Sequence, residues 1–470
     1  MISNRTKILA TVGPGCSDHS LLQEMVDLGV NAFRINLSHG DASAKREMFR
    51  LIKALRTNHG DRPSIIADLA GPKIRVTDVL PGFNIEPGQE IRISNEHPAD
   101  ENTIRVTSGF AFSKVNKGGK ILINDGRIQM KVVDHSSPNT LLCETILGGV
   151  VANRKGVNFP GVELDLPPLT RQDETDLLLS LEEGADWLAL SFVRSFADYH
   201  TLKPFFERAG KSLPVIAKIE KWEALEDLEA IVESFDAVMV ARGDLGVEIP
   251  NEQVPLVQKR IIREANRRGK PVIIATQMLE SMIEQPVPTR AEVSDIANAI
   301  FDGADALLVT GETAMGKYPR KVVKVLKQVI LETEKTIDYW TVRPQAKEKL
   351  RVAEAISHAT CEVAHDLNIP YIVTMTHSGS TARMLARYRP SARLLALTPF
   401  PEICRQLAFV WGVSPFLVRH YTKSDEIPER AKELLLSKKL LSKGDRYVIT
   451  GGVPVGVPGT TNFLAVHEID

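Results

Sequence analysis

Apolar and polar positions along this chain follow two periods. Short β-branched runs of strand length are separated by stretches whose apolar residues recur at the spacing of an amphipathic helix. The runs predict strands at Lys7–Val12, Asn31–Asn36, Ser64–Leu69, Trp187–Phe192, Val215–Glu220, Ala237–Ala241, Val272–Thr276 and Asp305–Thr310. Helices are expected between them, among them Ser17–Leu28, Gln172–Glu183, Trp222–Ser234, Gln253–Arg268 and Pro288–Asp302. Ser17 and Asp41 stand where N-caps belong, and Gly29, Gly184 and Gly269 where helices should stop. Eight strand–helix repeats close most naturally into a (β/α)₈ TIM barrel, giving an α/β fold.

The repeat breaks once. Lys73–Pro167 is rich in Gly, Pro and β-branched residues; Glu90–Ser94, Lys120–Ile123 and Ile128–Val133, with an Asp125-Gly126 turn, suggest a small inserted β-barrel. Both its connections leave from the end of the barrel where catalytic residues gather, so it is placed to act as a lid. After Tyr339 strands at Tyr371–Thr376, Leu394–Leu397, Ser414–Val418 and Arg446–Thr450 alternate with helices at Ala353–Leu367, Ser380–Tyr388 and Pro401–Trp411. This reads as an open α/β domain, with Phe463–Glu468 as an added edge strand. The expected organisation is 1–72 and 168–337 as the barrel, 73–167 as the insertion and 338–470 as the C-terminal domain.

Polar residues cluster where the predicted barrel strands end. Asn36, Asp68, Ser191, Lys218 with Glu220, Arg242 with Asp244, Thr276 with Gln277, and Thr310 with Glu312 all fall at or just past C-terminal strand ends. A strand–helix–strand unit over Val215–Asp244 puts both charged tips at one end of a parallel sheet. Two carboxylates and two cations would converge there, suiting a divalent metal and an anionic substrate. Strand alternation sends Arg34, Asn36 and Ser38 to one wall. Asp68, Lys73 and Arg75 add a carboxylate and two cations at the hinge of the insertion, a clustering that suits a phosphorylated substrate.

Composition narrows the class. The chain has 58 Lys plus Arg against 59 Asp plus Glu, so a general polyanion-binding surface, and with it nucleic acid as a partner, is not expected. Its 4 cysteines (Cys16, Cys143, Cys361 and Cys404) form no Cys-x-x-Cys pair, which fits reduced thiols rather than a disulfide framework or zinc site. The apolar run after Arg5 and Lys7 is too short for a signal-peptide core, and no segment is long enough to span a membrane. A cytoplasmic protein is expected.

The motifs Arg34–Gly40, Gly71–Arg75, Lys155–Gly161, Ala217–Glu220, Met239–Pro250, Ala275–Met282, Pro288–Glu292 and Gly311–Gly316 occur in register from Lys7 onward, and in them the chain resembles the pyruvate kinases. The resemblance implies Mg²⁺-dependent phosphoryl transfer from phosphoenolpyruvate to ADP, giving pyruvate and ATP. It implies that Glu220 and Asp244 ligate Mg²⁺ (Mn²⁺ as a possible substitute) and that Gly243 and Thr276 hold the substrate carboxylate. Lys218 would then face the bridging oxygen, and Arg34 the transferring group. His39, Arg75 and Lys155 would serve the nucleotide, and Thr276, with Thr310 behind it, would relay a proton to the enolate. A homotetramer is also implied. So is a sugar-phosphate or AMP effector on Thr376, His377, Ser378, Gly379, Ser380 and Thr381, where the residues alone also fit an ordinary Ser-rich N-cap.

The chain departs from the best-known members. Many hold K⁺ at positions equivalent to Asn36, Ser38, Asp68 and Leu69 and carry Thr at position 69 and Glu at position 73, whereas this chain has Leu69, Ala70, Lys73 and Val76. That pattern resembles the branch that works without K⁺, with the Lys73 ammonium supplying the missing charge. Gly311-x₄-Gly316-Lys317 approaches a phosphate-binding loop, but Tyr318 replaces the hydroxyl that would ligate Mg²⁺, and the eighth barrel loop explains it better. Two rivals are a carbon–carbon lyase using Glu220 and Asp244 for an enolate, and a non-catalytic metabolite sensor. The cationic Arg34, Arg75 and Lys155 speak against the first, and the intact Lys218, Glu220, Asp244 and Thr276 against the second.

Overall fold

Eight parallel strands close into a barrel in a computed structural model that describes residues 4–58, 60–107, 110–339, 350–420, 426–454 and 461–470. They run Lys7–Val12, Val30–Asn36, Ser64–Asp68, Trp187–Leu190, Val215–Ile219, Ala237–Ala241, Val272–Ala275 and Ala306–Val309, and the first pairs with both the second and the eighth. All eight lie within a residue or two of their expected spans. Parallel strands buried on both faces read as nearly continuous apolar runs, which is why they stand out in the sequence.

Side-chain parity decides what fills the barrel. Leu9, Ala32, Ile66, Ala189, Ile216, Met239, Ile273 and Leu308 belong to one interior cluster, whereas Ile8, Ile35, Ala217, Val238 and Val240 pack outward against the helices. Continuing the inward parity upward reaches Thr11, Arg34, Asp68, Ser191, Lys218 and Glu220. The interior therefore changes from apolar layers to a polar cap within one strand. Below, the interior is closed by Phe409, which follows the C-terminal-domain helix Pro401–Gln406 and meets the Trp187 ring at 4.7 Å between centroids.

Local chemistry moves several element boundaries. The first helix begins at His19 and is capped by Asp18, whose carboxylate accepts from Leu21 N, not by Ser17; a 3₁₀ turn over Pro14–Cys16 occupies the preceding residues. Gly184 lies just past the C-cap Glu183, with φ +69°. Asp41 and Gly269 cap as expected. The helix expected over Trp222–Ser234 is two short helices, Glu223–Glu226 and Leu228–Ser234, broken at Asp227, whose carboxylate is drawn off to Phe196 N at 2.8 Å.

Between the third and fourth barrel strands lie a seven-stranded mixed sheet and a two-stranded one. The edge strands of the larger sheet, Val76–Asp78 and Val157–Asn158, approach each other through a bridge between Arg75 and Gly156, so the sheet curls toward closure around its own core. The last sheet has five strands, with Thr461–Glu468 as the antiparallel edge. The helix Pro401–Gln406 ends earlier than expected, and a helix at Glu426–Ser437 was not expected.

Candidate active site

The polar cap holds a buried charge cluster. Lys218 Nζ donates to Ser191 Oγ at 2.6 Å and lies 3.2 Å from Asp68 Oδ1 and 3.1 Å from Glu220 Oε1. Asp68 also takes Arg34 Nε at 2.5 Å on its other oxygen, so one carboxylate orients two cations. Burial works against the charge on Lys218, but Asp68 and Glu220 outweigh it and leave its pKa above the ordinary lysine value. Burial likewise disfavours the ionised Asp68, yet Lys218 and Arg34 hold its pKa below the usual carboxylate range.

Glu220 goes the other way. Its pKa is raised, first by burial, against the pull of Lys218, and further by repulsion from Asp244. Its second oxygen accepts from Phe192 N at 2.8 Å, a residue in the left-handed region at φ +55°. A buried acid whose ionisation is opposed by a neighbouring carboxylate belongs to a donor set that a divalent cation would relieve. Among the described residues, no group of three or more His, Cys, Asp and Glu side chains is arranged around a metal position. The protein thus offers two carboxylates, a pattern that fits Mg²⁺ completed by substrate oxygens and water.

Two cations lie elsewhere than the sequence suggests. Lys73 Nζ bonds Asp244 Oδ1 at 2.6 Å, whereas Asn36 Oδ1 is taken by Ser38 Oγ at 2.8 Å and Ser38 N at 3.2 Å. Leu69 donates its N–H to Ala189 O, and its own carbonyl accepts from Ser191 Oγ. Arg242 does not join the converging charges. By parity it belongs with Val238 and Val240 on the outer face, and its guanidinium reaches Asp295 Oδ2 at 2.5 Å and the carbonyl of Thr276 at 2.9 Å. Asp295 carried no sequence signal, but the parity of Arg242 did.

Thr276 Oγ donates to Ala275 O at 2.6 Å and accepts from Gly243 N at 2.8 Å, so the two residues expected to share one task are in contact. Thr310 N and its hydroxyl both bond Glu312, which also holds Leu279 N. Arg75 donates to Arg154 O at 2.9 Å, and Lys155 O accepts from Val76 N, which places Arg75 and Lys155 together on the insertion. His39 is exposed on the barrel rim, and among the described residues no hydrogen bond or ion pair ties it to either group. In the C-terminal domain, Gly379, at φ +78°, is the N-cap of Ser380–Arg387, with no side-chain cap. Gly379 N bonds Thr376 Oγ, Ser378 bonds Ser380, and Thr381 turns inward to Thr461 at 2.7 Å. In the eighth loop, a Cβ on Gly316 would sit 2.3 Å from Glu312 O, so that glycine serves close backbone packing.

These features define a parallel barrel whose C-terminal strand ends gather Glu220 and Asp244 beside the cations Lys218 and Arg34. A family model described as pyruvate kinase, barrel domain, matches residues 3–323, and one described as pyruvate kinase, alpha/beta domain, matches residues 354–467. The chain is 42% identical to a pyruvate kinase of Thermotoga maritima, covering 99% of both, and 40% identical to pyruvate kinase 2 of Synechocystis sp., covering all of this chain and 80% of that protein. A crystal structure of a pyruvate kinase from Cryptosporidium parvum superposes with a TM-score of 0.93 at 31% identity, covering 99% of this chain and 96% of that one. The chain belongs to the pyruvate kinase family.

Proposed function

We propose that this chain transfers the phosphoryl group of phosphoenolpyruvate to ADP, giving pyruvate and ATP. The observation that carries the proposal is the buried Asp68–Lys218–Glu220 cluster, with half-buried Arg34 on Asp68 and Asp244 beside it, at the C-terminal end of the barrel strands. Phosphoryl transfer requires alignment and neutralisation of spreading negative charge more than covalent help. Glu220 and Asp244 would hold Mg²⁺, which when bound would draw charge from the substrate's carboxylate and enol oxygen. Lys218, kept protonated by two carboxylates, neutralises the bridging oxygen as the ester breaks. Arg34, fixed by Asp68, grips the departing phosphoryl group. Gly243 and Thr276 bind the substrate carboxylate, and the Thr276 hydroxyl passes a proton toward the enolate. A neutral threonine is too weak an acid to supply that proton itself.

We assign catalysis to 1–72 with 168–337, a lid to 73–167 and regulation to 338–470. The lid reading is supported by Asn158 of the insertion, which donates to Glu248 of the barrel at 2.9 Å, and by Lys73 at the hinge bonded to Asp244. Arg75 and Lys155 on the insertion, with His39 across the rim, suit the phosphates of ADP. Operation without K⁺ is supported by the two cations, Arg34 and Lys218, that already occupy Asp68, and the Lys73 ammonium adds a further positive charge nearby, on Asp244. A sugar-phosphate or AMP effector at Thr376–Thr381 is supported by the helix N-terminus left without a side-chain cap there. A homotetramer is supported by Leu256, Val287 and Phe301, large apolar side chains exposed on the barrel's outer helices or beside them. No described helix is long and apolar enough to cross a membrane. The test is ATP formation by the purified protein from phosphoenolpyruvate, ADP and Mg²⁺, abolished in K218M; a protein inert with this substrate pair would overturn the reading.

A further inference from the structure

We propose that Arg242 and Asp295 form a positioning pair that sets Thr276 for its part in the reaction. Thr276 and Gln277 are consecutive non-glycine residues in the left-handed region, with φ +67° and +55°. Such backbone persists only where its surroundings hold it. One guanidinium does so: Arg242 donates to Thr276 O from Nε at 3.2 Å and from Nη2 at 2.9 Å, and to Gln277 O at 3.0 Å. Its third nitrogen is anchored on Asp295 Oδ2 at 2.5 Å, from the helix Arg290–Asp302, which supplies none of the reacting groups assigned above.

The contacts form a closed loop. The Arg242 side chain holds the Thr276 backbone, and the Thr276 hydroxyl receives the N–H of Gly243, the residue following Arg242. The planar fork of arginine meets two carbonyls and a carboxylate at once, which a lysine ammonium on a flexible stem would not reproduce. With Arg242 buried and its charge matched by Asp295, it is not a cation offered to substrate; it acts through Thr276.

The inference rests on the role given to Thr276 above, and two readouts separate the claims. Hydrogen–deuterium exchange reports the positioning: R242Q and D295N should both speed exchange in the peptides containing Gly243 and residues 276–279 while leaving the first barrel strand protected. Exchange of the pyruvate methyl protons reports the chemistry. R242Q should lower it about 100-fold, while KM for ADP stays unchanged. Because Arg242 acts through Thr276, R242Q added to T276V should slow that exchange no further than T276V alone. D295N, farther from the substrate, carries the test should R242Q fail to fold. Unaltered amide exchange in D295N, or a full multiplicative loss in the double variant, overturns the pair. Faster amide exchange with normal proton exchange in T276V leaves the pair standing and removes Thr276 from the relay.

Discussion

Replacing Asp68 with asparagine keeps the shape of the polar cap and removes the charge that organises it. Asp68 Oδ1 lies 3.2 Å from Lys218 Nζ, and both groups are buried. At an effective dielectric constant of about 20 the pair interacts by about 5 kcal/mol, equivalent to about 4 pKa units at most. Glu220 remains at 3.1 Å and the asparagine carbonyl still accepts a hydrogen bond, so only part of that interaction is lost, and the Lys218 pKa should fall without the amine losing its charge at neutral pH. The sign follows from the direction of each shift. Lys218 is raised, so its contribution is full below the unfolded lysine pKa and is lost as pH rises through the folded value. Asp68 is lowered, so its contribution is present above the unfolded carboxylate pKa and lost as pH falls through the folded one. The native enzyme should therefore keep the Lys218 charge through the ordinary lysine range, whereas D68N should lose activity at a lower pH than the native enzyme does. Rates at saturating substrate from pH 6 to 10, with Mg²⁺ fixed, make the comparison. Coincident alkaline limbs for the two proteins would refute the claim that Asp68 holds the charge on Lys218.

Because Glu220 is raised by burial and by Asp244, protons should compete with Mg²⁺; the apparent Mg²⁺ constant should begin to rise above the ordinary glutamate value of 4.5 as pH falls, and a constant that stays flat down to that value would contradict it. Activity in tetramethylammonium buffer should nearly equal that in K⁺, and Lys73→Glu should create a K⁺ requirement; strong activation of the unmodified enzyme by K⁺ would exclude the Lys73 explanation. Gly71 sits at φ +70°, where a Cβ would approach Phe192 to 2.8 Å and Ser191 to 2.9 Å. Gly71→Ala should cost about 1–3 kcal/mol of stability and displace the hydroxyl that orients Lys218, visible as a lowered kcat with the overall fold retained by circular dichroism.

The barrel was legible because its strands are apolar along their length and polar only at one tip, so both location and direction show in the sequence. Lys218, Glu220, Asp68 and Arg34 were found for the same reason. Arg242 was misplaced because proximity to Asp244 in sequence was weighted above parity, which turns it to the outer face with Val238 and Val240. Asp295 could not be found, since a half-exposed acid on an amphipathic helix looks like any solvated charge. The break at Asp227 depends on a partner, Phe196 N, that is distant in sequence. The strands missed in the insertion, such as Val76–Asp78 and Thr103–Val106, are too short to show a period, and the helix Glu426–Ser437 lies in a stretch of mixed polarity.

The ring of Phe409 gives the barrel a floor borrowed from another part of the chain. Trp187, against which it rests, opens the fourth strand, and Ser191 just beyond that strand holds the Lys218 amine, four residues or about 13 Å away. A tilt of the C-terminal domain thus has a stiff rod on which to push. Cutting that domain off would unstop the barrel, leaving an indole and a greasy hollow facing water.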